Sequence, residues 1–246
     1  MTVSFDPRSS DLSKLFRDPD MFDAPDTWRE AGFKILRESA NKIVVASHPS
    51  VEGYLFKKYV NSGKREDPAD QLENYVTRVE GACKLRALIA DRRLRNVAVP
   101  RKWLRELPAC FGSRGKPAHV LIVDQLDIVD SDESEREYGR ISTDVLRDLI
   151  VVLHAFRGLD STAKNVPFTS DGKIAFIDTE HWARHSDRAK HKQRRFLKYI
   201  GEHLSGDRMR LATKLWNVLE GDADEADFLD EEDTSSSSSS SSSGSS

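Results

Sequence analysis

The sequence predicts an α+β fold, in which an antiparallel sheet with one helix precedes a smaller and mainly helical part. Three observations predict it. Three short runs rich in β-forming residues come first, at 33–36, 42–46 and 53–60, and turn residues separate them. One long stretch with helical periodicity follows, and two more β-type runs come after it. From residue 126 onward the periodicity is mostly helical, without an internal repeat.

The elements follow from these patterns in order. The first helix is predicted from apolar residues at helical spacing: Leu72, Tyr75, Val76, Val79, Cys83 and Leu88. Cys83 is expected to be a buried thiol on that apolar stripe. Strands are predicted at 103–107 and 119–123, followed by a hinge at 124–130 and a charged connection at 131–137. Ser142 is expected to cap a helix with one apolar face, formed by Val145, Leu146, Leu149, Ile150 and Leu153.

The predicted organisation has four parts. Residues 1–27 form an irregular N-terminal arm, 28–125 contain the sheet and its helix, and 126–220 form the reduced helical part. Residues 221–246 are acidic and then serine-rich, and they contain too few apolar residues to fold, so we expect a disordered tail. We favour a solubilising extension for this tail; the alternatives are a phosphorylated tail or an intramolecular cover for the basic stretch at 184–198.

Composition bounds the class of protein. The chain has 246 residues, of which 38% are hydrophobic and 32% charged, and no run of about 18 apolar residues that could span a bilayer. The start lacks the pattern of a cleaved signal peptide. Two cysteines are too few for a disulfide framework or a cysteine-rich zinc site. We therefore expect a soluble cytoplasmic protein, and secretion as an effector stays open.

Three polar residues around a short hairpin point to chemistry. Asp160 precedes Asn165 by five positions, and Asp178 follows Asn165 by thirteen. A turn at 170–172 separates two short apolar runs between Asn165 and Asp178. A carboxylate can accept a hydroxyl proton, whereas an amide oxygen and a second carboxylate are hard ligands that suit Mg²⁺. The spacing therefore indicates a site for metal ions on a phosphate chain.

This arrangement resembles the protein-kinase-like superfamily, which includes protein kinases, aminoglycoside phosphotransferases and bacterial lipopolysaccharide kinases. The resemblance implies a two-lobed fold and ATP and Mg²⁺ as cofactors. It also implies that Asp160 is the catalytic residue and that Asn165 and Asp178 bind the metal and ATP. The ending Asp178-Thr179-Glu180 is more similar to the small-molecule and lipopolysaccharide kinases than to the regulated eukaryotic ones.

Lys57 and Glu80 complete the implied ATP site. Lys57 matches the lysine of the third strand, which neutralises charge on the phosphates, and Lys58 should point to the opposite face. Glu80 is the expected partner of Lys57 on the helix, with Glu73 as the runner-up. Ordinary solvated surface charges are the alternative for both residues. Adenine is expected to lie among Val44, Leu55, Val123 and an apolar residue near 166–168, with backbone hydrogen bonds from 124–126.

The chain also departs from the family pattern. No glycine occurs at 38–41, where a glycine-rich loop would cover the phosphates, so affinity for ATP is in question. Gly158 stands where the family has a histidine two positions before the catalytic aspartate. No A-P-E segment follows Asp178, which argues against the substrate platform of a full protein kinase. His181, His185 and His191 lie in a basic setting, which favours surface or phosphate-facing roles over zinc binding.

The resemblance implies an ATP- and Mg²⁺-dependent phosphotransferase that acts on a hydroxyl of a protein, a sugar or a small metabolite. A pseudokinase that senses nucleotides or binds proteins is the alternative. The basic stretch at 184–198 is either a solvated helix face or an attractor for an anionic acceptor. Nucleic acid is the least favoured partner, because the net charge is −3 and no aromatic residues alternate with the basic ones.

Overall fold

The structure is a computed structural model, and it describes residues 15–16, 24–38, 43–59, 68–107, 118–160, 162–180, 182 and 201–221. The strands are β1 Lys34–Glu38, β2 Ile43–Ser47, β3 Tyr54–Tyr59, β4 Val97–Ala98, β5 Lys102–Glu106, β6 His119–Asp124 and β7 Ile174–Ala175. The helices are α1 Pro25–Glu30, α2 Pro68–Arg92, α3 Ser131–Gly139, α4 Thr143–Ala155 and α5 Gly206–Glu220, and a 3₁₀ turn spans Ala163–Asn165.

The predicted α+β class is confirmed. Five strands form one sheet in the order β1-β2-β3-β6-β5, and every neighbouring pair is antiparallel. The strands and the long helix α2 occur where the periodicity predicts them, with small shifts at their ends. A second sheet has two short strands, β4 and β7, which pair in parallel.

The two faces of the large sheet have different coverings. One face presents Val44, Phe56 and Ile122, which pack with Phe16 and Trp28 from the N-terminal arm. The arm is therefore not wholly irregular, since α1 begins before the expected boundary at residue 28. The other face presents Tyr59, Leu121 and Val123, and it packs against Tyr75 and Val79 of α2. Apolar burial on both faces fixes the register of the strands.

The buried stripe of α2 is rotated relative to the predicted one. The buried residues of this stripe are Tyr75, Arg78, Val79, Ala82 and Leu85. Val76 is 38% exposed, and Cys83 is an exposed free thiol, so the expectation of a buried Cys83 is wrong. Arg78 and Ala82 lie on the inner face on either side of Gly81, where the helix closely approaches the backbone of Thr179.

The helical part has its own hydrophobic core. Helix α4 contributes Leu146, Leu149, Ile150 and Leu153, and α5 contributes Leu215. Ser142 caps α4 as predicted, because its side chain accepts a hydrogen bond from the Val145 amide. An apolar stripe of this width is what docks a helix onto a core.

Residues 131–137 are not a connection but most of helix α3. The side chain of Asp130 accepts a hydrogen bond from the Glu133 amide at 2.8 Å and caps the helix. Ser134 and Tyr138 are buried, although the other residues of the helix are mostly charged. The high charge density conceals the helix in the sequence, because only one short polar and one aromatic side chain mark its inner face.

A tight hairpin follows the 3₁₀ turn. Phe168 and Ile174 form an antiparallel bridge, and the Thr169 amide donates to the Lys173 carbonyl at 2.8 Å. Gly172 closes the turn with a φ of 78°, a conformation that L side chains rarely adopt. The second arm of the hairpin is β7, so its pairing with β4 connects the hairpin to the segment that follows α2.

Several expectations concern residues outside the described ranges: the loop at 39–42, the basic stretch at 184–198, the three histidines and the tail beyond 221. In the part of the chain that the structure describes, no helix has the length and apolar character needed to cross a membrane.

Candidate active site

The hairpin brings Asn165 and Asp178 together. The Ile177 amide donates a hydrogen bond of 3.1 Å to the Asn165 carbonyl, so the residue before Asp178 is bonded directly to Asn165. Both side chains are half-buried. Helix α3 holds the first arm of the hairpin, because the Tyr138 hydroxyl donates to the Val166 carbonyl. The two candidate metal ligands therefore sit on an anchored element.

Asp160 lies in the loop between α4 and the 3₁₀ turn. It is half-buried, and Leu159 before it is buried in the core of the helical part. The Thr162 carbonyl accepts hydrogen bonds from the amides of Asn165 at 2.8 Å and Val166 at 3.1 Å. Asp160 and Asn165 therefore belong to one loop, which is fixed by the core at one end and by the turn at the other.

Lys57 lies on the sheet face that packs against α2. Antiparallel pairing places Arg37, Val45, Lys57 and Leu121 side by side across four strands. The pKa of Lys57 is lowered to about 8, first by burial and then by the charges of Arg78 and Arg37, whereas the carboxylate of Asp178 opposes the shift. The charge of Asp178 therefore acts on Lys57.

Glu80 does not lie beside Lys57. It is exposed on α2, and no ion pair joins it to Lys57 among the described residues. Arg78 occupies the inner face of the helix instead and is buried. The reason is helical phase, because Glu80 lies about 200° around the helix from Arg78. Glu73, the runner-up, is also exposed.

Arg78 joins α2 to the segment after the hairpin. Its Nε donates a hydrogen bond of 2.8 Å to Glu180 Oε2, and its Nη2 also bonds that oxygen. Nη2 lies 3.7 Å from Asp178 Oδ2. Burial alone would lower the pKa of Arg78, but nearby acidic groups, Asp178 foremost, raise it overall. Where the resemblance implies a lysine–glutamate pair, this chain has an arginine held by two acids.

Lys102 is a second buried cation at this site. It is 5% exposed, and its Nζ donates to the Ile177 carbonyl at 3.0 Å and to Thr179 Oγ1 at 2.8 Å. Burial, followed by the nearby charge of Lys57, holds the pKa of Lys102 well below its usual value. Lys102 therefore binds the residues on both sides of Asp178, the backbone of Ile177 and the side chain of Thr179.

Gly81 permits the close approach of α2 to this segment. A Cβ at position 81 would lie 2.2 Å from the Thr179 carbonyl oxygen and 2.7 Å from Trp182 Cδ1. No side chain fits there without a backbone shift. Trp182 packs against the core of the helical part and anchors this segment there.

Arg37, Arg78 and Lys102 were not predicted as site residues. A signal existed for Arg78, since it falls three residues after Tyr75 and four before Ala82, in phase with the buried stripe. For Lys102 the only sequence signal was its place at the start of a strand. The position of Arg37 could be predicted only from the register of β1 against β2. The sequence does not reveal this register, because the strands are short and a bulge lies between Ile35 and Arg37.

The expected adenine contacts change in two respects. Val44 lies on the face covered by the N-terminal arm, whereas Val45 shares the face of Lys57. In the expected hinge, the Asp124 amide donates to the Arg101 carbonyl and the Gln125 amide to the Gly53 carbonyl. Two of the three amides expected to face a nucleotide are thus already used within the protein.

The donor set fits one magnesium ion that takes its other ligands from phosphate and water. Asn165 and Asp178 offer an amide oxygen and a carboxylate, the hard ligands that Mg²⁺ prefers, and Mg²⁺ is commonly held by one or two carboxylates plus phosphates. Asp178 Oδ1 accepts a weak hydrogen bond from the Glu180 amide at 3.3 Å. The described residues contain no cluster of three or more His, Cys, Asp or Glu that could hold a metal ion alone.

No protein-family model matches the chain. No significant match to a curated protein is found either.

Proposed function

We propose that the protein is an ATP- and Mg²⁺-dependent phosphotransferase that transfers the γ-phosphoryl group to a hydroxyl acceptor. The observation that supports this most is the hydrogen bond from the Ile177 amide to the Asn165 carbonyl. It joins the two candidate metal ligands through one hairpin, and Asp178 of that hairpin interacts with Lys57 on the sheet. An amide, a carboxylate and a lysine on a phosphate chain are the parts this chemistry uses.

In this proposal the fold is two-lobed and kinase-like. The antiparallel sheet and α2 form the first lobe, and α3, α4 and α5 form the reduced second lobe. Support comes from the hydrophobic clusters, since the sheet has apolar clusters on its two faces and the helical part has another. The hairpin packs with the cluster of the helical part, and the charge of Asp178, which follows the hairpin, acts on Lys57 of the sheet.

Each site residue has a distinct task. Asp160 orients the acceptor hydroxyl and accepts its proton late in the transfer. Lys57 neutralises charge on the phosphates, and Asn165 and Asp178 would hold the magnesium ion. When bound, that ion supplies Lewis-acid stabilisation of the phosphoryl oxygens. Positioning and electrostatic stabilisation supply most of the rate in such reactions.

A second candidate is a pseudokinase that binds a nucleotide or a protein without turnover. It is favoured by the inward position of Arg78 and the outward position of Glu80, which leave Lys57 without the acidic partner that the resemblance implies. The absence of glycine at 38–41 favours it too. The retained Asp160 favours the enzyme, because nucleotide binding alone does not need a proton acceptor.

Transfer of labelled γ-phosphate from ATP to components of a cell extract tests the proposal. The wild type should transfer label, and Asp160→Asn should retain ATP binding but lose at least about a hundredfold in rate. Asp144→Asn, which removes an exposed carboxylate from α4, is the matched control. Transfer that survives Asp160→Asn would exclude Asp160 as the base, and ATP binding without any transfer would favour the pseudokinase.

A further inference from the structure

The sheet face toward α2 has more cationic than acidic side chains. Arg37 and Lys57 lie in one row across the strands, level with Leu121 of β6. Lys102 lies in the next row on the same face, because it pairs with Val123. Arg78 adds a fourth cation from the helix. Among the described residues, the carboxylates that act on the two lysines are those of Asp178 and Glu180. Around Lys57 and Lys102, these four cations therefore outnumber the two acids that act on the lysines.

The acids are already engaged by one of these cations. Arg78 bonds Glu180 through two nitrogens and lies 3.7 Å from Asp178. The Lys102 ammonium is bonded to two neutral oxygens, those of Ile177 and Thr179. Lys57 has no hydrogen bond or ion pair within the part of the chain that the structure describes. Among the described residues, the Asp178 carboxylate acts on the half-buried Lys57 ammonium but forms no ion pair with it, so this ammonium can still pair with a bound anion.

We infer that this cluster of cations binds a polyphosphate chain without requiring a divalent metal ion. Lys57 is the direct contact, and Arg37, exposed on the edge strand β1, contacts the anion at the rim. Arg78 forms an ion pair with Asp178 and so balances the negative charge that a metal ion would otherwise neutralise. The inference rests on the proposed function for the location of the ligand. It adds that magnesium is needed for transfer and not for binding.

Titration with inorganic tripolyphosphate in metal-free buffer of fixed ionic strength tests this. The probe has neither base nor sugar, so its binding reports on the cations alone. The wild type should bind it, and Lys57→Met should weaken binding at least about tenfold. Lys58→Met is the matched control, because it removes the same charge from the adjacent residue on the opposite sheet face, and its effect should be less than about twofold. Equal losses in the two variants would overturn the inference.

Asp178→Asn is a second test, in which the affinity for tripolyphosphate is expected to rise instead of fall. Removal of this negative charge should strengthen tripolyphosphate binding in metal-free buffer, although the same change removes the candidate metal ligand. Weaker or unchanged binding in this variant would overturn the inference, because removal of a carboxylate that competes for these cations should favour the anion. A parallel titration with ATP shows whether the ligand is a nucleotide or a free polyphosphate. Tighter binding of ATP than of tripolyphosphate would indicate that the site recognises a nucleotide.

These results are distinguishable from failure of the proposed function. Tripolyphosphate binding without phosphotransfer would support the anion site and contradict the proposed phosphotransferase activity. Phosphotransfer with binding of ATP only in the presence of Mg²⁺ would support the proposed activity and contradict the metal-independent site. No binding of tripolyphosphate to the wild type would contradict it as well.

Discussion

The Thr179 hydroxyl donates a hydrogen bond of 2.7 Å to the carbonyl oxygen of Arg78, and so ties helix α2 to the segment that contains Asp178. The same hydroxyl accepts a hydrogen bond from Lys102 of β5. Thr179 is fully buried. One side chain therefore links the helix, the sheet and the candidate metal ligand, and the geometry of the site depends on it.

We expect Thr179→Val to lower the free energy of unfolding by about 3 kcal/mol, because it removes the hydroxyl partner of a buried ammonium and of a carbonyl. Thr213→Val is the control, since Thr213 is exposed on α5 and bonds only within its helix. Urea unfolding of the two variants measures the difference. Equal stability of both variants would contradict the linking role of Thr179.

Gly81→Ala should destabilise the protein by about 3 kcal/mol and weaken phosphate binding, although alanine favours helices. The new Cβ would collide with the Thr179 carbonyl, so α2 and the segment after the hairpin must separate. Gly206→Ala is the control, because its nearest neighbour in space is a flexible arginine end at 3.9 Å. Thermal unfolding compares them, and a stable Gly81→Ala variant would contradict the close packing.

The reversed roles of Arg78 and Glu80 can be tested by paired substitutions. Glu80→Ala should change the free energy of unfolding by less than about 0.5 kcal/mol and leave ATP binding unchanged, since the side chain is exposed. Arg78→Ala should cost about 3 kcal/mol, because it leaves two partly buried carboxylates without their counterion. Loss of ATP affinity in Glu80→Ala would restore the expected lysine–glutamate pair.

The pKa of Lys57 makes stability depend on pH. Between its folded pKa of about 8 and its unfolded value near 10.4, only the unfolded state keeps the proton, so the free energy of unfolding rises with pH. Between pH 7.5 and 9.5 the rise from this group is about 2 kcal/mol. Lys102 contributes in the same direction, and the raised pKa of buried Tyr75 opposes it only at higher pH.

Urea unfolding at the two pH values measures this effect. Lys57→Met should remove the part of the rise that belongs to Lys57, and Lys58→Met should keep it. A wild type whose stability falls over this range, or a rise in Lys57→Met as large as that of the wild type, would contradict the burial of Lys57 near Arg78.

Much of the fold could be predicted from local patterns. The strands of the large sheet and the capped helix α4 follow from apolar runs, turn residues and Ser142, all of which act within a few residues. Helix α3 could not be predicted, because its inner face is one serine and one tyrosine among charges. The phase of α2 was misjudged because Cys83 and Val76 are apolar but exposed.

The site was harder to predict than the fold. The linked positions of Asn165 and Asp178 followed from spacing around a hairpin, which is a local constraint. Arg78 and Lys102 became apparent only from long-range contacts with the segment 177–180, and such contacts leave no local pattern. The opposite faces of Val44 and Lys57 depend on strand register, which one residue of slip reverses.

Thermal unfolding with ATP, with and without Mg²⁺, tests the central claim most directly, because a ligand that binds the native state raises its melting temperature. The wild type should be stabilised by ATP and further stabilised when Mg²⁺ is added, and Asp178→Ala should lose only the magnesium-dependent increment. A wild type that ATP does not stabilise in either condition, or an increment that persists in Asp178→Ala, would contradict the account.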